Sequence, residues 1–69
     1  MRRYFWQITA HWIAPDGRQT HNSYGGRIVK NPGETDYDAY LRVLEHLHLT
    51  YGVPRNACFH LNHFAPDNT

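Results

Sequence analysis

Residues 3–18, Arg3-Tyr-Phe-Trp-Gln-Ile-Thr-Ala-His-Trp-Ile-Ala-Pro-Asp-Gly-Arg18, decide the fold. Up to Ala14 the segment alternates with a period of two, so Tyr4, Trp6, Ile8, Ala10 and Trp12 share one face of a strand. Phe5, Gln7, Thr9, His11 and Ile13 share the other. Aromatic and β-branched side chains fit a pleated surface, and the even-numbered set is the more apolar, so it is assigned to the core. Pro15-Asp16-Gly17 then turns the chain. Proline presets φ at the first turn position, and glycine takes the left-handed conformation that closes a short hairpin loop.

With that loop Ala14 faces Arg18, which puts Trp12 opposite Thr20, His11 opposite His21 and Ile8 opposite Tyr24. The first strand runs over about 3–14 and the second over about 18–30. Glycine weakens regular strand, so Gly25-Gly26 is expected to mark a bulge or bend. Asn31-Pro32-Gly33 ends the hairpin. Thr35 is placed as a helix N-cap with Asp38 in a capping-box position, and Asp36 and Asp38 complement the positive end of the helix dipole. Tyr37, Tyr40, Leu41, Leu44, Leu47, His48 and Tyr51 fall at helical spacing, with Gly52 and Pro54 as stop signals. One amphipathic helix over 36–51 follows. Ala57, Phe59 and Leu61 alternate with Cys58, His60 and Asn62, giving a third strand over 57–62. A loose tail is expected over 65–69.

The expected class is therefore α+β, with order ββαβ. A three-stranded antiparallel sheet of order 2-1-3 carries the helix on one face, and pairing of the last strand parallel to the second is the alternative. The 69 residues make one small domain, 1–69. Domains of this size bury only about 60% of the surface that the unfolded chain exposes. One cysteine cannot form an internal disulfide, which leaves good packing, a metal or a second chain as sources of stability. No apolar run is long enough for a membrane span, so no membrane partner is expected. The polar Gln7, Thr9 and His11 interrupt any signal-peptide core after the basic start, and a single cysteine fits a reducing compartment; a cytoplasmic location is the expectation.

Charge divides the chain. Residues 1–31 carry Arg2, Arg3, Arg18, Arg27 and Lys30 against Asp16, while 32–69 carry two arginines against five carboxylates. A basic half and an acidic half allow self-association or a charged partner. The simpler reading gives the acids to the helix start and leaves the arginines solvated on the hairpin.

Six histidines are the unusual feature of the composition. His11, His21 and His60, with Cys58, fall on the outer sheet face and are the set from which a zinc ion could draw. Their spacing matches no established zinc pattern. Exposed histidines on a polar sheet face are the ordinary outcome, so no metal and no other cofactor is expected. His46 and His48 point apart on the helix, and His60 and His63 have opposite strand parity. Cys58 has neither a flanking nucleophile signature nor an orienting third group and is read as a buried structural cysteine. Gly25-Gly26 lacks the Lys-Ser/Thr of a phosphate loop. These readings argue against an enzyme.

Two binding roles remain. One helix covers one sheet face, leaving Phe5, His11, Ile13, His21 and His60 on the other and the second strand as an open edge. Both features suit a protein partner or a second copy of the chain. The alternative is a nucleic-acid module using Arg2, Arg3, Arg18, Arg27 and Lys30 on the hairpin.

Tyr4-Phe5-Trp6 with Thr9, Gly17-Arg18, Pro32-Gly33 with Thr35, and the closing Phe64, Pro66 and Asn68 resemble a loose class of small proteins encoded by bacteria and their phages. The resemblance covers most of the chain and carries no catalytic or ligand residues. It implies a compact ββαβ protein, a mobile-element origin and a role in binding and blocking a host protein, defence proteins included, in the host cytoplasm.

Overall fold

The computed structural model describes residues 2–67. Strand β1 (Arg3–Ile13) and strand β2 (Gln19–Val29) form the hairpin, helix α1 (Asp36–Tyr51) follows, and strand β3 (Cys58–Pro66) closes the fold. The sheet is antiparallel with order β2-β1-β3, so the protein is an α+β, ββαβ structure. Among the described residues no helix is long and apolar enough to cross a membrane.

The hairpin has the register that its turn dictates: Trp12 pairs with Thr20, His11 with His21 and Ile8 with Tyr24. Gly17 sits at φ 85°, its N–H donates to Ala14 C=O at 2.8 Å, and Asp16 Oδ1 accepts from Arg18 N–H at 3.1 Å. Pairing continues without a shift from Ile13↔Gln19 to Arg3↔Val29, so the bulge expected at Gly25-Gly26 is absent. Gly26 instead makes room for a neighbour: a Cβ there would stand 3.0 Å from Cζ2 of Trp6.

The bulge lies in β3. Gln7 pairs with His63 and Ile8 with Leu61, which leaves Asn62 as the extra residue. Its cause is visible in the spacing of the aromatics. Phe59 and Phe64 both pack on the core cluster, yet they are an odd number of residues apart, and strict alternation puts only one of them on the helix side. One extra residue resets the phase. Packing of Phe64 also carries the strand on to Pro66, and Asp67 N–H donates to Arg3 C=O at 2.8 Å. The expected strand end at 62 and loose tail from 65 are thus corrected through Asp67; 68 and 69 lie outside the described residues.

Helix α1 starts with the full capping box, Thr35 Oγ1 accepting from Asp38 N–H and Asp38 Oδ2 from Thr35 N–H. It ends at Gly52, left-handed at φ 69°. Its buried stripe is Ala39, Val43 and Leu47, with Tyr40 and Leu44 packed beside it. The expected stripe was rotated too far: Tyr37, Leu41 and Tyr51 are exposed. Ala39, Val43 and Leu47 are buried together with Trp6, Ile8 and Ala10, and Val43 and Leu47 join those sheet residues in one packed cluster. Complete burial of Ile8, Val43 and Leu47 contributes about 1.5–3 kcal/mol each.

Candidate binding face

Every element that covers the sheet lies on the side of Trp6, Ile8 and Ala10. The opposite face is built in cross-strand rows that follow directly from the register. His21, His11 and Cys58 form one row, Ser23, Thr9 and His60 the next, Gly25, Gln7 and His63 the third, and Arg27, Phe5 and Ala65 the fourth. The structure therefore brings Phe5, His11, His21 and His60 onto one surface, with Ile13 at its hairpin end and 57% exposed.

Polar contacts tie the middle of this face together. Thr9 Oγ1 lies 3.1 Å from Ser23 Oγ and accepts from Asn62 Nδ2 at 2.8 Å. At one end the Phe5 ring stands 5.5 Å from the His63 ring, with the Arg27 guanidinium 5.7 Å over its centre. Phe5 is consequently half-buried, less open than its place on an uncovered face implied. At the other end the His11 and His21 rings are 6.2 Å apart. A shallow hollow of about 360 Å³ lies beside them, lined by Trp12, Ile13, Asn56 and Cys58 among others.

Two readings change here. Cys58 is exposed, because it shares the outward parity of His60 and pairs with His11 at the strand end. His63 joins the outer face, since the bulge at Asn62 places it on the same side as His60. The odd spacing of Phe59 and Phe64 is the signal in the sequence that would have found it. His11, His21, Cys58 and His60 do not form a metal centre: they occupy two rows, and among the described residues no three His, Cys, Asp or Glu side chains converge on a metal-sized point.

The basic residues of the hairpin do not gather. Arg18 sits at the turn beside Asp16 (3.5 Å), and Arg27 pairs with Asp67 (2.6 Å). Lys30 lies on the helix side, bound to Asp36 at 2.6 Å with its Nζ over the Tyr4 ring; that hydrogen bond raises its pKa above the ordinary lysine value. Arg2 and Arg3 are exposed and form no ion pair among the described residues. Of the acids, Glu34 and Glu45 hold Arg42 and Arg55 through paired hydrogen bonds, and Asp38 is used in the cap. The two halves meet through opposite charges at Arg27–Asp67 and Lys30–Asp36, while the other pairs lie within one half. His48 is also occupied internally, its Nδ1 2.7 Å from Val53 C=O and its ring edge-on to Phe59.

Comparisons with protein-family models, with curated proteins and with solved structures each found no match.

Proposed function

We propose that the protein is a non-enzymatic binding module that engages another protein through the helix-free face of its sheet. One observation carries the reading: an extended face bearing Phe5, His11, Ile13, His21, His60 and His63 has no covering element among the described residues. Its mixture of aromatic, imidazole and hydroxyl groups around apolar positions suits a protein surface. The blocking of a host protein, suggested by the resemblance to phage-encoded proteins, is the concrete form of this activity.

Internal pairing of Arg18, Arg27 and Lys30 weighs against the nucleic-acid alternative, because a polyanion gains little from cations already neutralised by neighbours. Two surface variants test the assignment. Ser23→Arg places a bulky charge in the middle of the outer face, and Leu49→Arg places one on the exposed side of the helix. Co-purified proteins are quantified against wild type, and salt-dependent retention on immobilised RNA and single-stranded DNA is measured in parallel. A partner kept by Leu49→Arg and lost with Ser23→Arg supports the reading. A partner indifferent to Ser23→Arg, or low-salt nucleic-acid retention that Arg2→Ala with Arg3→Ala abolishes, overturns it.

A further inference from the structure

The outward edge of β2 carries a self-complementary row of backbone groups. Hydrogen bonds from Ala14 N–H to Arg18 C=O and from Lys30 N–H to Arg2 C=O fix the phase of the hairpin ladder. Even-numbered residues of β2 therefore turn their N–H and C=O toward β1, and odd-numbered ones turn them away. Two side chains meet this outward row: Arg42 Nη2 donates to Val29 C=O at 2.8 Å, and Asn22 Oδ1 accepts from Ser23 N–H at 3.0 Å. Between these two plugs stand Ser23 C=O, both groups of Gly25, both groups of Arg27, and Val29 N–H. No side chain bonds them among the described residues. The far edge of the sheet differs, because β3 is interrupted by its bulge and ends in Pro66, which has no N–H.

We propose that this edge pairs antiparallel with β2 of a second copy, about a two-fold axis through Gly26. Gly25 then exchanges both hydrogen bonds with the partner's Arg27, Arg27 does the same with the partner's Gly25, and Val29 N–H reaches the partner's Ser23 C=O. In this register Ser23 N–H and the partner's Val29 C=O fall opposite one another and bond to each other once Asn22 Oδ1 and the partner's Arg42 Nη2 swing out of the seam. Sliding the pair by two residues in either direction sets a free group against a plugged one. The free groups select one register.

Side chains agree with it. Gly26 meets the partner's Gly26 at the position where paired strands approach most closely, about 4.5 Å between Cα atoms. On the helix side Tyr24 faces the partner's Ile28, an aromatic–β-branched pair of half-buried residues. Arg27, the only Arg, Lys, Asp or Glu of β2, faces the partner's Gly25, so no like charges oppose. The central strands of the two copies stand three strand spacings apart, roughly 14 Å. Two helices of about 10–12 Å diameter fit side by side over them. A groove of about 410 Å³ between β2 and α1, lined by Trp6, Ile28, Arg42, His46 and Tyr51, closes into the space between those helices. The exposed Tyr51 is covered there. The outer face becomes one surface of six strands. This pairing does not depend on what that face binds.

Light scattering over a concentration series reaching the millimolar range reads the assembly, and amide exchange and isotope-filtered NOEs on a mixed labelled and unlabelled sample read the register. Expected are a dimer, slowed exchange at Gly25, Arg27 and Val29, and an intermolecular Hα–Hα contact between Gly26 and the partner's Gly26. Arg27→Pro removes an outward donor that the β1 ladder does not use. It weakens the dimer about thirtyfold, from two lost hydrogen bonds per pair. Arg27→Ala keeps the donor and the dimer. A monomer throughout with unprotected amides at Gly25 and Arg27 overturns the proposal, as does a dimer with contacts elsewhere. A folded Arg27→Pro variant that dimerises like wild type also overturns it; should that variant unfold, the exchange and NOE data on the wild type decide alone.

Discussion

Gly26 lies directly opposite Trp6, and the indole crosses it so closely that a Cβ on the glycine would stand 3.0 Å from Cζ2 and 3.3 Å from Cε2. Trp6 is 4% exposed and its ring is held in the core cluster with Ile8, Val43 and Leu47, although one side of it lines the groove between β2 and α1. Alanine in a strand is otherwise favoured over glycine by roughly 0.5–1 kcal/mol, while overpacking a closed core costs about 1–3 kcal/mol. The second term wins at this site. Gly26→Ala is therefore expected to destabilise by about 1 kcal/mol, lowering Tm by roughly 4–8 °C for a domain of this size. Gly25→Ala meets its nearest atom, Trp6 O, at 3.4 Å, and its Tm should equal or exceed that of wild type. Equal thermal melts for the two variants would remove the indole contact as the reason for Gly26.

Glu34 ties the helix entry to both the helix and the strand before it. Arg42 donates to its two oxygens at 2.7 Å each, and Asn31 N–H donates at 2.9 Å. These contacts, the Arg42 hydrogen bond foremost, lower its pKa from the ordinary 4.5 to about 2. A carboxylate with a depressed folded-state pKa contributes its stability fully above 4.5 and loses it as pH falls toward 2. Glu34→Gln should thus melt below wild type near neutrality and converge with it as pH falls through this window. Parallel melting curves of the two proteins from pH 6 to 2, taken as roughly spanning the linkage range, would contradict this assignment.

His48 joins the helix end to the segment that follows it. The Val53 carbonyl can only accept, so Nδ1 carries the proton and donates at 2.7 Å, while the ring packs edge-on against Phe59 with centroids 5.5 Å apart. Such a hydrogen bond contributes about 1 kcal/mol, and an aromatic contact of this geometry about 0.5–1.5 kcal/mol. His48→Ala is expected to cost roughly 2 kcal/mol. His48→Asn keeps a donor at the position of Nδ1 and should recover about half of that loss. Urea denaturation separates the two, and an Asn variant no more stable than the Ala variant would assign the whole effect to the ring.

The hairpin was readable because its determinants are local. Pro15-Asp16-Gly17 fixes the loop, the loop fixes the register, and the register alone places His11 beside His21 on the outer face. Thr35, Asp38 and Gly52 likewise mark the helix ends by short-range chemistry. What escaped depends on contacts between distant segments. The face of α1 is chosen by its packing on Trp6, Ile8 and Ala10, which buries Val43 and Leu47 and leaves Tyr37 and Leu41 exposed, and no helical wheel contains that contact. Gly25-Gly26 reads as a strand defect until the tryptophan twenty positions earlier is laid over it. Exposure of Cys58 and the outward turn of His63 both follow from the register of β3 against β1, and that register is set by the core.

The bulge in β3 tests this account most directly. If Asn62 is an added residue that resets the alternation, its deletion joins Leu61 to His63 in regular phase. His63 then remains outward opposite Gln7, and Phe64 remains inward opposite Trp6, as both are in the bulged strand. The deletion loses the 2.8 Å bond from Asn62 Nδ2 to the exposed Thr9 hydroxyl, at about 1 kcal/mol, and regains regular pairing. Removal of Ser23 provides the contrast. Its pairing with Thr9 lies inside the uninterrupted ladder, so the deletion turns one half of β2 over and carries either Tyr24 and Ile28 away from the core or Thr20 away from beneath Trp12. Deletion of Asn62 should leave a folded protein within about 1 kcal/mol of wild type, whereas deletion of Ser23 should cost more than about 3 kcal/mol or abolish the folded state. Chemical denaturation gives both values, and the NOE between Phe64 and Tyr4, whose rings stand 5.3 Å apart, reports the phase. Loss of that NOE on deleting Asn62 would mean that the bulge does not set the inward position of Phe64.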